Sequence, residues 1–180
     1  MVVTSPTVDT TISLRPVTKG DLVVLDRFLI DPEATGTFQW YGWRDPARWR
    51  RAWDENGLLT DEGGHLMVAL GGDSLGFVAW RQIRTSPHSY CWNVGINLLS
   101  EARGHGYGAQ AQRLLVTYLL SHTPVQRIEA GTDVNNVAEQ RALEKAGFVR
   151  EGVLRGHTFR AGRWHDTVIY SVLRDEVEPG

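Results

Sequence analysis

Leu98-Leu99-Ser100-Glu101-Ala102-Arg103-Gly104-His105-Gly106-Tyr107-Gly108-Ala109-Gln110-Ala111-Gln112-Arg113-Leu114-Leu115-Val116-Thr117-Tyr118-Leu119-Leu120 decides how the rest of the chain is read. Glycines alternate at 104, 106 and 108, and an apolar pattern of helical period starts directly after them. Alternating glycines let the backbone turn tightly and bring successive N–H groups up to a ligand, because no Cβ blocks the approach. The helix behind them adds its unpaired first-turn donors and the positive end of its dipole. A turn of this kind either connects two elements or holds a phosphate or pyrophosphate.

Working outward, Tyr90 to Leu98 reads as a strand with Trp92, Val94, Ile96 and Leu98 on one face, and it delivers the chain into the glycine turn. A helix is expected from Gly108 to Ser121, then a strand Gln126 to Ala130, then a helix Val137 to Lys145. Asp133 or Asn135 is the expected cap of that last helix, and Gly147 its stop. Upstream, Ile12 to Arg15 alternates as a strand, and Thr18 is the expected cap of a helix from about Gly20 to Ile30, stopped at Asp31-Pro32. His65 to Leu70 and Leu75 to Arg84 form a hairpin around Gly71-Gly72-Asp73. Two last strands, Val153 to Arg160 and Trp164 to Leu173, flank Ala161-Gly162. The 180 residues fit one domain, set at 12–175 with tails at 1–11 and 176–180.

Composition narrows the function. A net charge of −2 with a pI near 6.3 gives no basic excess for nucleic acid. Cys91 is the one cysteine, which excludes an internal disulfide and a multi-cysteine metal site and fits a reducing cytoplasm. It reads as a small core residue between Tyr90 and Trp92. Met1 to Thr11 lacks the basic and apolar blocks of a leader, and nothing approaches a membrane span.

Context selects the phosphate ligand. The third glycine comes too early for a dinucleotide fingerprint, and Gly108-Ala109-Gln110 lacks the Lys-Ser/Thr of a P-loop. Arg103-Gly104-His105-Gly106-Tyr107-Gly108-Ala109 instead resembles the R/Q-x-x-G-x-G/A signature of the GNAT superfamily of acyl-CoA-dependent N-acetyltransferases. Asn136-Val137-Ala138-Glu139-Gln140-Arg141-Ala142-Leu143-Glu144-Lys145-Ala146-Gly147-Phe148 is similar to a second element of that family, N-x-x-S/A-x-x-x-x-E-K-x-G-F. The start Ile12 to Pro16 and the tail Arg155 to Asp166 look most like its RimJ/RimL-like branch, whose members acetylate protein N-termini or small amines. The resemblance implies an α/β (mixed α+β) GNAT fold: a mostly antiparallel twisted sheet of six to seven strands with helices on both faces.

It also implies acetyl-CoA as co-substrate, with no metal. The backbone of Gly104, His105, Gly106, Tyr107, Gly108 and Ala109 is expected on the pyrophosphate, with Arg103 adding charge. The pantetheine arm is expected to pair like a strand with Ile96, Asn97 and Leu98, and to touch Asn136, whose alternative role is a helix N-cap. Glu129 stands where many members carry a general base, and a plain surface charge is its alternative. A Tyr seven residues after the motif Asn often protonates the leaving thiolate, yet Leu143 stands there. Where the RimJ/RimL-like branch often has Ser, this chain has Glu139. Glu129 and Glu139 are therefore the catalytic candidates, with Tyr107, His157 and His165 as stand-ins.

Phe38, Trp40, Tyr41, Trp43, Trp49 and Trp53 fall within a short stretch around Asp45-Pro46. Trp40 and Trp43 precede Pro46 in expected loop and are the candidates for substrate contact. Trp49 and Trp53, spaced i, i+4 on a helix, are expected to pack inward. A closed aromatic pocket suits a small-molecule amine, such as an antibiotic or metabolite. A protein N-terminus is the alternative acceptor, and a non-catalytic acyl-CoA-binding module the alternative function. A homodimer stays open.

Overall fold

The computed structural model describes residues 11–177, so the tails expected at 1–11 and 176–180 lie, apart from Thr11, Glu176 and Val177, outside the described residues. The leader reading of Met1 to Thr11 likewise falls outside, except for Thr11.

The described residues form eight strands and five α-helices: β1 Ile12–Pro16, α1 Leu22–Ile30, α2 Pro32–Thr35, α3 Arg48–Asn56, β2 Leu59–Thr60, β3 Gly63–Leu70, β4 Asp73–Ser86, β5 Ser89–Leu98, α4 Tyr107–His122, β6 Arg127–Asp133, α5 Val137–Lys145, β7 Val149–Arg160 and β8 Arg163–Leu173. Seven strands run in the order β1-β3-β4-β5-β6-β8-β7, and the two-residue β2 hangs on β3. The expected six to seven strands thus become seven plus a fragment. All neighbours are antiparallel except β5 and β6. These two lie side by side in parallel because α4 carries the chain back between them.

Strand period sorts the sheet into two faces. Trp92, Val94 and Ile96 of β5 and Ile128 and Ala130 of β6 join Ala111, Leu115 and Leu119 of α4 and Leu143 of α5 in the larger core. Across the sheet, Met67 of β3 and Phe77 of β4 pack with Leu22, Leu25, Phe28 and Leu29 of α1 and Trp49 of α3. Cys91 is buried, and burial together with the charge of Glu129 pushes its thiol pKa up to about 11. It is a small core side chain with no thiolate to offer.

One cap is as expected and one differs. Thr18 is the N-cap of a 3₁₀ turn, Lys19–Asp21, that leads into α1, in a capping box with Asp21, whose carboxylate accepts from Thr18 N at 2.8 Å and from Thr18 Oγ1 at 2.7 Å. Arg15 and Ser74 hold the same carboxylate, which anchors this turn to the sheet. At α5 the cap is Asn136, whose side chain accepts from Glu139 N at 3.3 Å. Asp133 is spent elsewhere, and Asn135 donates to it rather than capping.

Candidate active site

Gly104 and Gly106 both sit at φ +82°, in the left-handed region that a side chain strains, and Gly106 is the residue that opens α4. A Cβ built on either would meet nothing within 4 Å, so the space beside the turn is open. Helix hydrogen bonding begins only with Gln110 N to Gly106 O at 3.4 Å, which leaves the preceding amides from Gly104 to Ala109 without an acceptor among the described residues. Gly108 lies against Leu98 of β5 and Ala142 of α5, so the turn is seated where strand and both helices meet. His105 and Tyr107 stack their rings 5.5 Å apart at its rim.

Directly below, β5 and β6 part. They pair only at Trp92 with Ile128, Asn93 with Glu129 and Val94 with Ala130. Beyond these, β5 follows β4 as far as Leu98 and β6 follows β8 as far as Asp133. A wedge therefore opens through the sheet between Gly95 to Leu98 on one lip and Gly131 to Asp133 on the other. Ile96 is buried on the α4 side, Asn97 turns to the opposite face, and Leu98 packs against the larger core. Asn136 stands at the second lip, its Nδ2 donating to Thr132 Oγ1 at 3.0 Å while its oxygen caps α5.

The arginines of this region act as struts. Arg103 donates through Nε to Leu98 O at 2.9 Å and through Nη2 to Ala34 O, tying β5 to α2. These two bonds use Nε and one Nη2 hydrogen and leave Nη1 without a hydrogen-bond partner among the described residues. Arg113 reaches Lys145 O and clips α4 to the end of α5.

On the opposite face the wedge opens into two adjoining hollows that share Gln39 and Tyr41. The larger, about 170 Å³, is lined by Arg81, Asn93, Gly131, Thr132, Asp133, His157, Thr158, Arg160 and Thr167, with Phe38 at its edge. The smaller, about 100 Å³, takes Trp40, Trp49, Phe77, Arg44 and Asn97. Trp40 and Trp43 do lie in loop, with ring centroids 6.0 Å apart. Trp40 lines the smaller hollow, whereas Trp43 is 80 % exposed and lines neither. Trp49 is buried against His65 and Phe77, and Trp53 donates its Nε1 to Val17 O at 2.9 Å.

Asp133 anchors the larger hollow. Its Oδ1 accepts from Asn135 N at 2.9 Å and Asn135 Nδ2 at 3.1 Å, and its Oδ2 accepts from Arg160 Nη2 and lies 3.1 Å from His165 Nδ1. Burial alone would raise its pKa; the bonds from Asn135 and Arg160 overcome that and hold it below the ordinary carboxylate value. His165 is thereby held against Asp133 and Arg160. His157 faces the hollow with Nδ1 3.2 Å from Thr167 Oγ1.

Glu129 lies on this face of β6, beside Asn93 across the pairing, with Oε1 accepting from Arg127 Nε at 2.6 Å. Arg127 also bridges to Glu151, so Glu129 is one end of an ionic ladder that runs toward β7. Glu139 is on the helix face of the wedge, in the first turn of α5. Burial pushes its carboxyl up to about 7, against the opposing pull of the Gln112 amide beside it.

A glycine turn with free amides, a helix behind it and a sheet split below it match a known family: residues 11–149 fit the model of the acetyltransferase (GNAT) domain. The chain belongs to the GNAT acetyltransferase family. Among curated relatives, YjcK of Bacillus subtilis, an N-acetyltransferase by name, is 35 % identical over 85 residues, 47 % of each chain. YoaA of the same organism is 32 % identical over 81 residues, 45 % of this chain and 46 % of its own. The match thus spans about half the length of these relatives. Among solved structures, spermidine N-acetyltransferase from Vibrio cholerae in complex with CoA and spermine superposes with a TM-score of 0.76 at 17 % identity, over 92 % of this chain and 96 % of that one. RimL, a ribosomal L7/L12 alpha-N-protein acetyltransferase in complex with coenzyme A, gives 0.75 at 18 % identity, over 95 % and 98 %. At these identities the two show a shared fold.

GNAT enzymes use acetyl-CoA, and this chain's residues fit it: amides without acceptors at the glycine turn suit a pyrophosphate, and the unpaired lips of the wedge suit an amide-bearing arm. Among the described residues no group of three or more His, Cys, Asp or Glu is placed to hold a metal ion, and no helix is long and apolar enough to cross a membrane. The motif reading missed Arg81 and Asn93. Strand period puts Arg81 on the same face as the buried Phe77, a charge in phase with core, and that was the signal available.

Proposed function

We propose that this protein transfers an acetyl group from acetyl-CoA to the amine of a small molecule in a ternary complex. The observation that carries the reading is the parting of β5 and β6 just before the glycine turn, which joins a phosphate site on the α4 side to hollows on the other. The co-substrate supplies the acetyl group as a thioester. Gly104 to Ala109 hold its pyrophosphate and the wedge lips its arm, which Asn136 touches from the point where it ties the start of α5 to β6.

An ammonium has no lone pair, so the acceptor must first lose a proton. Glu129 takes it. Glu129 lines neither hollow, so the proton reaches it through water; supporting the role are its place on the hollow-side face of β6 and its pairing position beside Asn93, which lines the larger hollow. Arg127 fixes the carboxylate through Oε1, an orientation a positioned base requires. On the helix side, Glu139 holds a proton up to about pH 7 and supplies it where thiolate charge develops. Trp40 shapes the acceptor side. The motifs and the start and tail of the domain support placement in the RimJ/RimL-like branch, the described residues suit a cytoplasmic protein, and the small hollows favour a small amine over a protein N-terminus.

Purified protein incubated with acetyl-CoA and a panel of amines and N-terminal peptides, followed by release of free thiol, tests the proposal. Turnover with small amines and not with peptides is expected. Tight acetyl-CoA binding with no acceptor-dependent thiol release would make the protein a binding module.

A further inference from the structure

The charge around the two hollows says what kind of amine they receive, a question that rests on the acyl-transfer reading for its site. Asp133 is the single carboxylate in their lining, and both its oxygens are already taken by Asn135, Arg160 and His165. Nothing remains there to hold an ammonium as an ion pair. The cations are less fully spent. Arg160 is neutralised by Asp133, but Arg81 has only its Nε engaged, 3.4 Å from Asn93 Oδ1, and its two terminal nitrogens have no partner among the described residues. Arg44 enters the smaller hollow, with its guanidinium 5.8 Å from the Tyr41 ring centroid. Around Arg81 the remaining polar lining carries no further carboxylate, and the Thr158 and Thr167 hydroxyls are bonded to each other at 3.1 Å and to His157.

We infer that the acceptor is an amine carrying its own carboxylate, an amino-acid-like molecule whose anion is read by Arg81. A guanidinium held at Nε presents its terminal N–H pair as a fork that matches a carboxylate in two parallel bonds. The same surplus of positive charge repels a polyamine, which brings several cations and no anion. The size agrees: about 170 Å³ lies below the roughly 300–1,000 Å³ of drug-sized sites, and suits a molecule of amino-acid size. The Asp133–Arg160 pair, buried at the end of β6 and β7, holds the far wall in place without contributing net charge.

The test uses the full chain loaded with CoA and with acetyl-CoA. The common amino acids are compared with their carboxamides, with phosphoethanolamine and with spermidine, by calorimetry and melting shift on the CoA form and by thiol release on the acetyl-CoA form. At least one amino acid should bind at least tenfold tighter than its carboxamide, and Arg81→Gln should lower that acid-to-amide ratio at least tenfold, with Arg81→Lys restoring part of it. The melting temperature of each variant alone reports that the exposed Arg81 is not needed for folding. Equal binding of acid and carboxamide, preference for spermidine, or a ratio unmoved in Arg81→Gln would overturn the inference. A preference for phosphoethanolamine over every amino acid would overturn it in favour of a phosphate-bearing amine. Acid-selective binding lost in Arg81→Gln, but with no thiol release, would leave this inference standing and remove the transferase; turnover of amines regardless of carboxylate would do the opposite.

Discussion

The two sides of the sheet split are built in different ways. On the α4 side the open surface is backbone: six consecutive residues, Gly104 to Ala109, offer amides whose directions are set by two left-handed glycines and a helix start. On the other side the hollows are lined by side chains drawn from the loop before α3 and from β4, β5, β6, β7 and β8, held by Asp133, Arg160 and the threonines. A site made of backbone tolerates changes in almost any side chain but not in its glycines. A site made of side chains can be retuned one residue at a time, which suits a common co-substrate facing a variable acceptor.

Substitutions that split binding of the two partners are the sharpest way to break this contrast. Glu129→Gln keeps the shape of the side chain and its place beside Arg127 while removing a proton acceptor, so kcat should fall by about 10² to 10⁴ with acetyl-CoA affinity unchanged. A normal pH–rate profile in that variant would return Glu129 to a purely structural rung of the ladder with Arg127 and Glu151.

Within the aromatic loop the contrast becomes one between packing and recognition. Trp49 is 7 % exposed, and Trp49→Ala should cost about 3–5 kcal/mol in denaturant unfolding, the range for truncating a large core side chain. Trp43→Ala, at an exposed position, should stay within about 0.5 kcal/mol. Trp40→Ala should raise the acceptor KM with little change in melting. Equal destabilisation at all three would make the loop core alone.

Glu139 tests the helix side by pH. Its carboxyl titrates near 7 when folded, above the ordinary value, because burial favours the neutral form. Its stabilising contribution is therefore complete below about pH 4, where it is protonated in both states, and is lost as pH rises to about 7. Glu139→Gln should be more stable than the parent by about 2 kcal/mol at pH 8, the gap closing in acid. If Glu139 also supplies the proton for the thiolate, the parent's kcat should decline above about pH 7 and the variant should lose that limb.

The most selective effect belongs to the glycine turn. At φ +82° a β-branched residue is strained, and its side chain projects into the open space where phosphate must approach. Gly106→Val should weaken acetyl-CoA at least tenfold by calorimetry while acceptor binding and the far-ultraviolet spectrum persist. Unchanged affinity in the folded variant would remove the phosphate site from this turn.

What was legible in the chain follows the same division. Periodicity in Trp92, Val94 and Ile96, the hairpin at Gly71-Gly72 and the helical pattern after Gly106 located most elements to within a few residues, since each depends on neighbours close in sequence. Two motifs, at Arg103 to Ala109 and Asn136 to Phe148, announced the family for the same reason: a backbone cradle and a helix start are local objects. The cap at Thr18 was legible on the same ground, whereas the cap of α5 fell on Asn136 rather than Asp133 or Asn135, because Asp133 is drawn to the distant Arg160.

Tertiary structure alone decided the rest. Only folding put the carbonyls of Ala34 and Leu98 within reach of Arg103, which ties α2 to β5. Trp40 and Trp43 were equivalent in sequence, yet one lines a hollow and the other lies in solvent. The larger hollow gathers Arg81, Asp133, His157 and Arg160 from three strands, and its charge is a sum over pairings that no local pattern encodes. Side chains from remote segments become a site only when the sheet registers them. Backbone amides are a site as soon as the turn closes.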